Sequence, residues 1–253
     1  MRCAVIGLGE AGLIYANALQ GLGHKVIGYD AAGVKDTSVL VAGSVAEAVG
    51  HAEIILVMTP AAASIQIAKE AGAYLSPMSS YADFTSSSPA AKRALSLQLP
   101  AGIRTADVAI LGPVISLGVM TPLMAAGSAA QVVADLLSPA GAPVEVVDGN
   151  LGDAMVHKLL RSIFTKGLAA VVGEAVEAGQ RAGHEEWVLD QIAFSFSGDG
   201  RATIRRLITG SKKHATRRAE EMLAVVEYCE ELGTPSVMSA AARESLIRLE
   251  ETH

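Results

Sequence analysis

CAVIGLGEAGLIYANAL, residues 3–19, is the stretch of sequence that decides the expected fold. It joins an apolar, strand-like run to a helical run through the spacing GxGxxG, which Gly7, Gly9 and Gly12 form. In this arrangement the first glycine permits a tight turn, the second lets the backbone approach a pyrophosphate, and the third lets the helix pack on the strand. We therefore expect a dinucleotide site at this turn. An ordinary glycine-rich turn is the alternative.

The residues around this turn indicate which dinucleotide would bind. Glu10 and Ala11 open the helix, so their backbone N–H groups belong to the expected phosphate site. Asp30 ends the next strand-like run, about 20 residues further on, where a carboxylate accepts hydrogen bonds from an adenosine ribose diol. That carboxylate would repel a 2′-phosphate, and the two alanines after it supply no cation, although Lys35 could reach back. The sequence therefore favours NAD, with NADP as the alternative.

Small polar residues follow two later strand-like runs. Thr59 and Pro60 come after the third run, and Ser86 lies in the segment TSSSP after the fourth. Ligands of open α/β sheets bind in the crevice at the carboxyl ends of the strands. We expect these residues to contact the nicotinamide ribose. For the serine segment, a simple helix cap by Ser88 is the alternative.

Short β-branched runs alternate with Ala- and Leu-rich helical runs in the first half of the chain, which predicts parallel strands with right-handed crossovers. The predicted strands are Arg2–Ile6, Lys25–Tyr29, Glu53–Met58, Tyr81–Phe84, Ile103–Ala109, Leu123–Ala126 and Val144–Val147. The predicted helices are Glu10–Leu22, Ser44–Gly50, Ala61–Ala73, Pro89–Leu97 and Ala129–Leu137. The expected fold class is α/β, with an N-terminal, Rossmann-type doubly wound sheet.

The character of the sequence changes after Gly149. From Asp153 to Arg181 there is no proline, and the pattern predicts one helix of about 45 Å at 1.5 Å per residue. The remainder, Glu185–Thr252, is helical in pattern. We expect a dinucleotide-binding domain over residues 1–150 and an all-helical substrate and dimerisation domain over 151–253, with the long helix between them. Because so small a helical domain has little core of its own, we also expect a homodimer.

Composition excludes several classes of protein. The chain has 253 residues, 51% hydrophobic, with a formal net charge of −6, which argues against disorder, bulk nucleic-acid binding and an anionic membrane surface. Aromatic residues make up 4%, too few for a single-strand stacking platform. Two cysteines exclude a disulfide scaffold or zinc cluster, and no metal is expected. No apolar stretch reaches the ~18 residues of a membrane span, and a strand follows Met1 directly, so we expect a cytoplasmic protein without a signal peptide.

A polar stripe on the predicted long helix contains the candidate catalytic residues. Lys158, Ser162 and Thr165 share one helical face at spacings i, i+4 and i+7. A partly desolvated lysine can donate or accept a proton near neutral pH, and Ser162 could orient the substrate or the ammonium. The alternative is a lysine whose stem lies on apolar surface while its ammonium stays in water.

A cationic segment lies further along the chain. Between Arg201 and Arg218 there are seven Lys and Arg residues, His214 and no acid. In an acidic chain such a segment can attract an anionic substrate, and arginine suits carboxylate or phosphate. A solvated helix face, followed by Glu220 and Glu221, is the alternative.

Five segments of the chain, in the same order, resemble the β-hydroxyacid dehydrogenase superfamily, which includes 6-phosphogluconate and 3-hydroxyisobutyrate dehydrogenases. The matching segments are GLGEAG at 7–12 for its N-terminal fingerprint, DFTSSSP at 83–89 for D-x-S-T-x-x-P, DVAILGPV at 107–114 for D-A-P-V-S-G-G, TPLMAAG at 121–127 for T-L-x-x-x-x-G, and Lys158 for its catalytic lysine. Within the superfamily, GDAMVHKLLRSIFTKGL is most similar to a phosphogluconate-dehydrogenase-like branch with a poorly characterised C-terminal domain.

Three departures limit what this resemblance implies. The superfamily serine that helps hold a substrate carboxylate is Leu111 here, and the second glycine of that segment is Pro113. Ser162 replaces the asparagine one turn after the lysine, and the C-terminal K-D-L segment has no clean match within Lys212–Met222. The resemblance therefore implies hydride transfer with Lys158 as general acid or base, and it leaves the substrate open.

The expected function is that of an NAD(P)-dependent oxidoreductase acting on a small, hydroxy-acid-like and anionic substrate. One alternative is an imine reductase-like enzyme, because Leu111 suits a less polar substrate. The other is a non-catalytic, nucleotide-sensing protein, against which Lys158 and the complete glycine fingerprint argue. We expect neither nucleic acid nor membrane as a partner.

Overall fold

The computed structural model describes residues 1–35 and 37–251. They form two compact units, Met1–Arg161 and Ser162–His253. Thr252, the last residue of the predicted helical remainder, lies outside the described residues. The division between the units falls within a continuous helix, so the predicted domain boundary at residue 150 stays a prediction.

The first unit is a β-sheet with helices on both faces, which confirms the predicted fold class. Its strands are β1 (Arg2–Ile6), β2 (Lys25–Tyr29), β3 (Leu40–Val41), β4 (Ile54–Val57), β5 (Ser80–Asp83), β6 (Arg104–Ile110), β7 (Leu123–Ala126) and β8 (Val144–Val147). Its helices are α1 (Glu10–Gly21), α2 (Val45–Val49), α3 (Ser64–Gly72), α4 (Pro89–Ser96), α5 (Val114–Leu117) and α6 (Ala130–Leu137). The sequence pattern did not predict β3 or α5, which are too short to show a periodicity.

The strand order is β3-β2-β1-β4-β5-β6-β7-β8. β1 lies between β2 and β4, so the sheet grows in both directions from β1, and this is the switch point at which open α/β sheets bind ligands. The strands from β3 to β6 are parallel, as predicted, but β7 runs antiparallel to β6. Residues 111–122 between them contain only α5 and a 3₁₀ turn, so no long crossover helix returns the chain before β7.

Two apolar clusters cover the two faces of the sheet. β1 contributes to both, because Cys3 and Val5 point into one cluster and Ala4 and Ile6 into the other. α1 and α6 pack on the first face, and α2, α3 and α4 pack on the second. A central parallel strand that is apolar on both faces is typical of a doubly wound sheet.

The second unit is all-helical. α7 (Asp153–Ala182) continues into it from the first unit, and its length confirms the predicted long helix. The remaining helices are α8 (Glu185–Ser195), α9 (Gly200–Lys213), α10 (Ala215–Leu232) and α11 (Val237–Glu251). The break between α9 and α10 at His214 was not predicted. Within the described ranges, no helix is both long and apolar enough to cross a membrane.

A carboxylate on α7 caps α11. Glu174 Oε1 accepts hydrogen bonds from Ser239 N at 2.8 Å and Ser239 Oγ at 2.6 Å, and Oε2 accepts one from Met238 N at 2.7 Å. Partial burial raises the pKa of Glu174, but the three hydrogen bonds together lower it by more, so the net pKa lies below the ordinary value of 4.5. These bonds satisfy first-turn N–H groups of α11 that have no partner within the helix.

Candidate dinucleotide and catalytic site

The three glycines of the turn between β1 and α1 have different structural requirements. Gly7 has a φ of +92°, and a Cβ there would lie 2.6 Å from Met58 O. A Cβ on Gly12 would lie 1.8 Å from Gly7 O, so this helix start can approach the turn only with glycine. A Cβ on Gly9 would meet nothing within 4 Å. Packing within the chain therefore explains two of the glycines, and the third leaves bare backbone facing open space.

A cavity of about 360 Å³ opens beside this turn, at the carboxyl ends of β1, β2 and β4. Its lining residues are Ile6, Gly7, Gly9, Tyr29, Asp30, Ala31, Met58, Thr59, Pro60, Ala63 and Ile67. Thr59 Oγ1 is buried and has no hydrogen-bond partner among the described residues. An unpaired buried hydroxyl in such a cavity suits a polar group of a ligand. The residues present thus fit a dinucleotide: bare backbone at a helix N-terminus for phosphates, and polar groups for a ribose.

Asp30 connects the glycine turn to the loop that follows β2. Its Oδ2 accepts a hydrogen bond from Leu8 N at 2.8 Å, and its Oδ1 accepts one from Ala32 N at 2.9 Å. These bonds fix the carboxylate at the rim of the cavity. Since a carboxylate oxygen has two lone pairs, each oxygen keeps one acceptor position for a ribose hydroxyl.

Lys158 and Ser86, predicted for different roles, lie in direct contact. Lys158 Nζ donates a hydrogen bond to Ser86 Oγ at 2.7 Å, and the Lys158 side chain is half-buried. Ser88 caps α4 by accepting from Ala91 N at 3.2 Å, so the capping interpretation applies to Ser88 and not to Ser86. Ser162 lies one turn further along α7, and its hydroxyl makes no hydrogen bond within the described part of the chain.

A fully buried ion cluster, which was not predicted from the sequence, joins β5, α4 and β6. Lys92 Nζ is 3.0 Å from Asp83 Oδ2 and 3.1 Å from Asp107 Oδ1, and it donates to the Asp83 carbonyl oxygen at 2.8 Å. All three side chains are 0% exposed. The contact with Asp107 Oδ1 is an ion pair without a directed hydrogen bond. The cluster carries a formal charge of −1, the sum of one ammonium and two carboxylates.

One signal in the sequence could have revealed this cluster. Asp83 and Asp107 each lie in a predicted strand, and parallel pairing of β5 with β6 brings them into register. Two carboxylates side by side in a buried sheet require a cation, because an unpaired buried charge costs several kcal/mol. Lys92 lies on α4, the helix that connects these two strands.

The cationic segment lies on α9 and the start of α10, and all of its cations except the half-buried Arg218 are exposed. Arg218 donates to Ser211 Oγ at 2.9 Å, and Arg217 forms an ion pair with Glu221. His214 separates the two helices and is exposed. The remaining cations of the segment are exposed: Arg201, Arg205, Arg206, Lys212 and Lys213. Among the residues that the structure describes, no group of His, Cys, Asp and Glu side chains could hold a metal ion.

Comparisons with known proteins match both parts of the chain. The family model described as the NAD binding domain of 6-phosphogluconate dehydrogenase matches residues 2–148. A second model, described as a domain of unknown function, matches residues 180–249. An uncharacterized 28.5 kDa protein from Methanothermus fervidus is 25% identical over 198 residues, which are 78% of this chain and 76% of that protein.

Solved structures show the same fold. A conserved protein of unknown function, reported to be structurally similar to 3-hydroxyacid dehydrogenases, is 28% identical, with a TM-score of 0.65 over 99% of this chain and 97% of that chain. An imine reductase from Myxococcus stipitatus in complex with NADP+ has a TM-score of 0.81 at 17% identity, over 100% of this chain and 95% of that chain. The NAD-binding model covers more than half of the sequence, so the predicted resemblance is confirmed: the chain belongs to the family that carries the NAD binding domain of 6-phosphogluconate dehydrogenase.

Proposed function

We propose that this protein is an NAD(P)-dependent oxidoreductase that transfers hydride between the nicotinamide and a small, hydroxy-acid-like substrate, with Lys158 as general acid or base. The observation that carries the proposal is the 2.7 Å hydrogen bond from Lys158 Nζ to Ser86 Oγ. It supports the proposal because Ser86 follows β5 at the same sheet edge as the dinucleotide cavity. A lysine whose ammonium simply extended into solvent would not donate to this loop.

The proposed chemistry assigns one proton to Lys158. Bound nicotinamide would supply or accept the hydride. During oxidation the substrate hydroxyl gives its proton to the neutral amine of Lys158, as the adjacent carbon–hydrogen bond breaks and its electron pair leaves with the hydride. During reduction the Lys158 ammonium returns a proton to the substrate oxygen. Ser86 Oγ accepts one N–H of Lys158 and thereby restricts where the other N–H groups point. We propose that Ser162 orients the substrate from the next turn of α7.

The cofactor would lie on the turn between β1 and α1. We propose that its pyrophosphate contacts the backbone at Gly9 and the N-terminal N–H groups of α1, and that Asp30 accepts from the adenosine ribose. The full set of proposed cofactor residues is Gly7, Gly9, Glu10, Ala11, Gly12, Asp30, Thr59, Pro60 and Ser86. Because the Asp30 carboxylate disfavours a 2′-phosphate, we propose NAD as the preferred cofactor and NADP as the alternative.

Leu111 favours a second candidate, the reduction of an imine. It follows β6 and packs against an apolar cluster that includes Met124 and Ala154. An apolar side chain at this place would hold a carboxylate poorly and an uncharged substrate well. Imine reductases share the fold of this chain, and in this reaction the Lys158 ammonium would hold a proton near the substrate nitrogen.

A panel assay tests the proposal and separates its two candidates. Reduced NAD or NADP would be mixed with 3-keto acids and with cyclic imines, and each cofactor's absorbance at 340 nm followed; 3-hydroxy acids would test the reverse direction. Turnover of either class supports an oxidoreductase and identifies the substrate chemistry. Tight cofactor binding without turnover of any compound would instead support the nucleotide-sensing alternative.

The second unit supports the proposal of a homodimer. Among its described residues, several large apolar side chains are more than half exposed, namely Ile163, Phe164, Trp187, Phe194, Phe196, Ile204, Leu207 and Ile208. Four of them, Phe164, Phe196, Ile204 and Leu207, line one cavity, and an apolar patch of this kind on a protein surface often marks an interaction site. We propose that a second copy of this chain covers it, and that the cationic segment contributes to this contact or to anionic substrate binding.

We further propose that the protein works in the cytoplasm. Cys3 and Cys229 are both free and buried, which suits a reducing compartment. Burial raises the pKa of the Cys3 thiol to about 11, so it stays protonated and unreactive near neutral pH.

A further inference from the structure

We infer that the buried cluster of Lys92, Asp83 and Asp107 is a positioning device that holds Lys158 against Ser86. The inference rests on the proposed function, because it assigns to these residues the alignment of the proposed general acid or base. None of the three side chains is exposed to solvent, so none can itself contact a substrate. Their effect has to pass through the segments that carry Lys158 and Ser86.

The first of these segments is the loop after β5. Asp83 Oδ1 accepts from Thr85 N at 3.0 Å, and Asp83 Oδ2 accepts from Thr85 Oγ1 at 3.0 Å. Thr85 Oγ1 also lies 3.2 Å from Ser87 Oγ, and both of these residues are buried. Ser86, between them, is the exposed residue of the three. The Asp83 carboxylate therefore fixes the backbone just before Ser86, and Thr85 Oγ1 links it to the side chain of Ser87 just after.

The second segment is the start of α7. Asp107 Oδ2 accepts from Met155 N at 2.8 Å, in the first turn of the helix. Ala154 and Met155 are 0% exposed, so this turn is packed as well as hydrogen-bonded. Lys158 lies three residues further along the same helix. The Asp107 carboxylate therefore sets the position of α7 relative to β6 at less than one turn from Lys158.

The Lys92 ammonium joins these two anchors. It contacts Asp83 and Asp107 simultaneously, so the loop that carries Ser86 and the helix that carries Lys158 are fixed to one buried point. The N-terminal N–H groups of α7 add positive potential beside Asp107, which offsets part of the cluster's formal charge of −1. An apolar cluster could fill the same space, but it could not fix the direction of two hydrogen-bonded segments with comparable precision.

Chemical labelling of Lys158 tests this inference without any substrate. The full-length protein would be treated with trinitrobenzenesulfonate, and the labelling rate of Lys158 measured by mass spectrometry. Ser86→Ala removes the hydrogen-bond acceptor, so it should raise the rate severalfold. Asp107→Asn should do the same, because one amide oxygen cannot both accept from Met155 N and face Lys92. In the double variant the two increases should not multiply, since both remove the same hydrogen bond.

A second pair of variants distinguishes a specific effect on Lys158 from a general loss of structure. Thr85→Val keeps the shape of the side chain and the backbone bond from Thr85 N to Asp83 Oδ1, but it deletes the contacts of Oγ1 with Asp83 Oδ2 and Ser87 Oγ, so it should also raise the labelling rate. Ser79→Ala deletes a buried hydroxyl at the other end of β5, where Ser79 Oγ donates to Ala52 O at 2.7 Å, and it should leave the rate unchanged. The inference would be overturned if Ser86→Ala raised the labelling rate of Lys158 while Asp107→Asn and Thr85→Val left it at the parent value.

Kinetics then separate a failure of this inference from a failure of the proposed function. With the compound of the panel that turns over fastest, Asp107→Asn and Thr85→Val should lower kcat about 10- to 100-fold, the range expected for a misplacement of about 1 Å. The Kd of each reduced cofactor should change less than kcat, because most of the proposed cofactor residues lie on the turn between β1 and α1 and on the loops after β2 and β4, and only Ser86 belongs to the displaced segment. If Lys158→Met is inactive while Asp107→Asn and Thr85→Val keep the parent kcat, only the inference is refuted. An unchanged kcat in Lys158→Met would refute the proposed function.

Discussion

The two units of the chain bury their apolar residues to very different extents. In the first unit, every residue of β4, β5 and β7 is buried, and even a charged cluster is closed off from water. In the second unit, Ala215, Ala219 and Cys229 are the buried apolar residues among those described, while Phe194 is 76% exposed. The difference shows that the first unit closes its own core, and it supports our proposal that a second copy of the chain covers the second unit.

The largest effect is expected in the glycine turn of the first unit. Gly12→Ala would place a Cβ 1.8 Å from a backbone oxygen, which no side-chain rotation relieves, so we expect a loss of about 3 kcal/mol or more in the free energy of unfolding. Gly9→Ala adds a Cβ that meets nothing within 4 Å, so its free energy of unfolding should lie within about 0.5 kcal/mol of the parent value. It should nevertheless bind NAD at least tenfold more weakly. Urea unfolding and cofactor titration measure both. Equal stability losses would show that Gly9 serves the fold and not a ligand.

The second unit should respond to a charge on its exposed apolar surface. Phe194→Glu would bury a carboxylate in the proposed contact, so we expect the dimer to dissociate at least tenfold more readily. Light scattering coupled to gel filtration, over a range of protein concentrations, measures this. Leu97→Glu is the matched control, because Leu97 is 82% exposed on the first unit. A parent protein that runs as a monomer, or equal dissociation of both variants, contradicts the proposed role of this surface.

Asp30 should set the preference between cofactors. We expect the parent to bind NAD more tightly than NADP, and Asp30→Asn to shift the ratio of the two Kd values about tenfold towards NADP, since it removes a charge beside the 2′ position. The ratio is the proper readout, because Asp30 also accepts from Leu8 N and Ala32 N and its loss weakens both complexes. Titration of both cofactors at one salt concentration measures it. Tighter binding of NADP by the parent would contradict the assignment.

The smallest effect concerns Glu174 in the second unit. Its pKa is lowered in the folded state, so its stabilising contribution is present above its unfolded pKa of about 4.5 and is lost as the pH falls through the folded value. Solvent screens this partly exposed carboxylate, so Glu174→Gln should cost about 1 kcal/mol or less at pH 7 and progressively less towards pH 3. Urea unfolding at several pH values measures the difference. A cost that is constant with pH would show that charge is not involved.

Local patterns predicted much of the fold. β1, β2, β7 and β8 have the predicted bounds, because each is a short apolar run between turn residues. The reversal of β7 was missed, since strand direction depends on the path of the connection and not on the strand's own residues. The break at His214 was missed because the helical pattern continues across it.

In the candidate site, too, the features set by local sequence were predicted and those set by long-range contacts were not. The glycine turn and Asp30 follow from a local spacing, and Lys158 follows from its position on a polar stripe and from the family resemblance. The contact between Lys158 and Ser86 joins residues 72 apart, and no spacing predicts it. Lys92 was missed for the same reason: its partners come together only when β5 pairs with β6 and α4 packs on them.

The central claim is that Lys158 transfers a proton during hydride transfer, and Lys158→Met tests it most directly. This change keeps an apolar stem of similar length and deletes the ammonium, so folding and cofactor binding should survive. We expect kcat on the active compound of the panel to fall 10²- to 10⁴-fold, the usual contribution of a positioned general acid or base. Lys166→Met, an exposed lysine on the same helix, is the matched control and should retain full turnover. Full turnover in Lys158→Met, with the control equally active, would contradict the account.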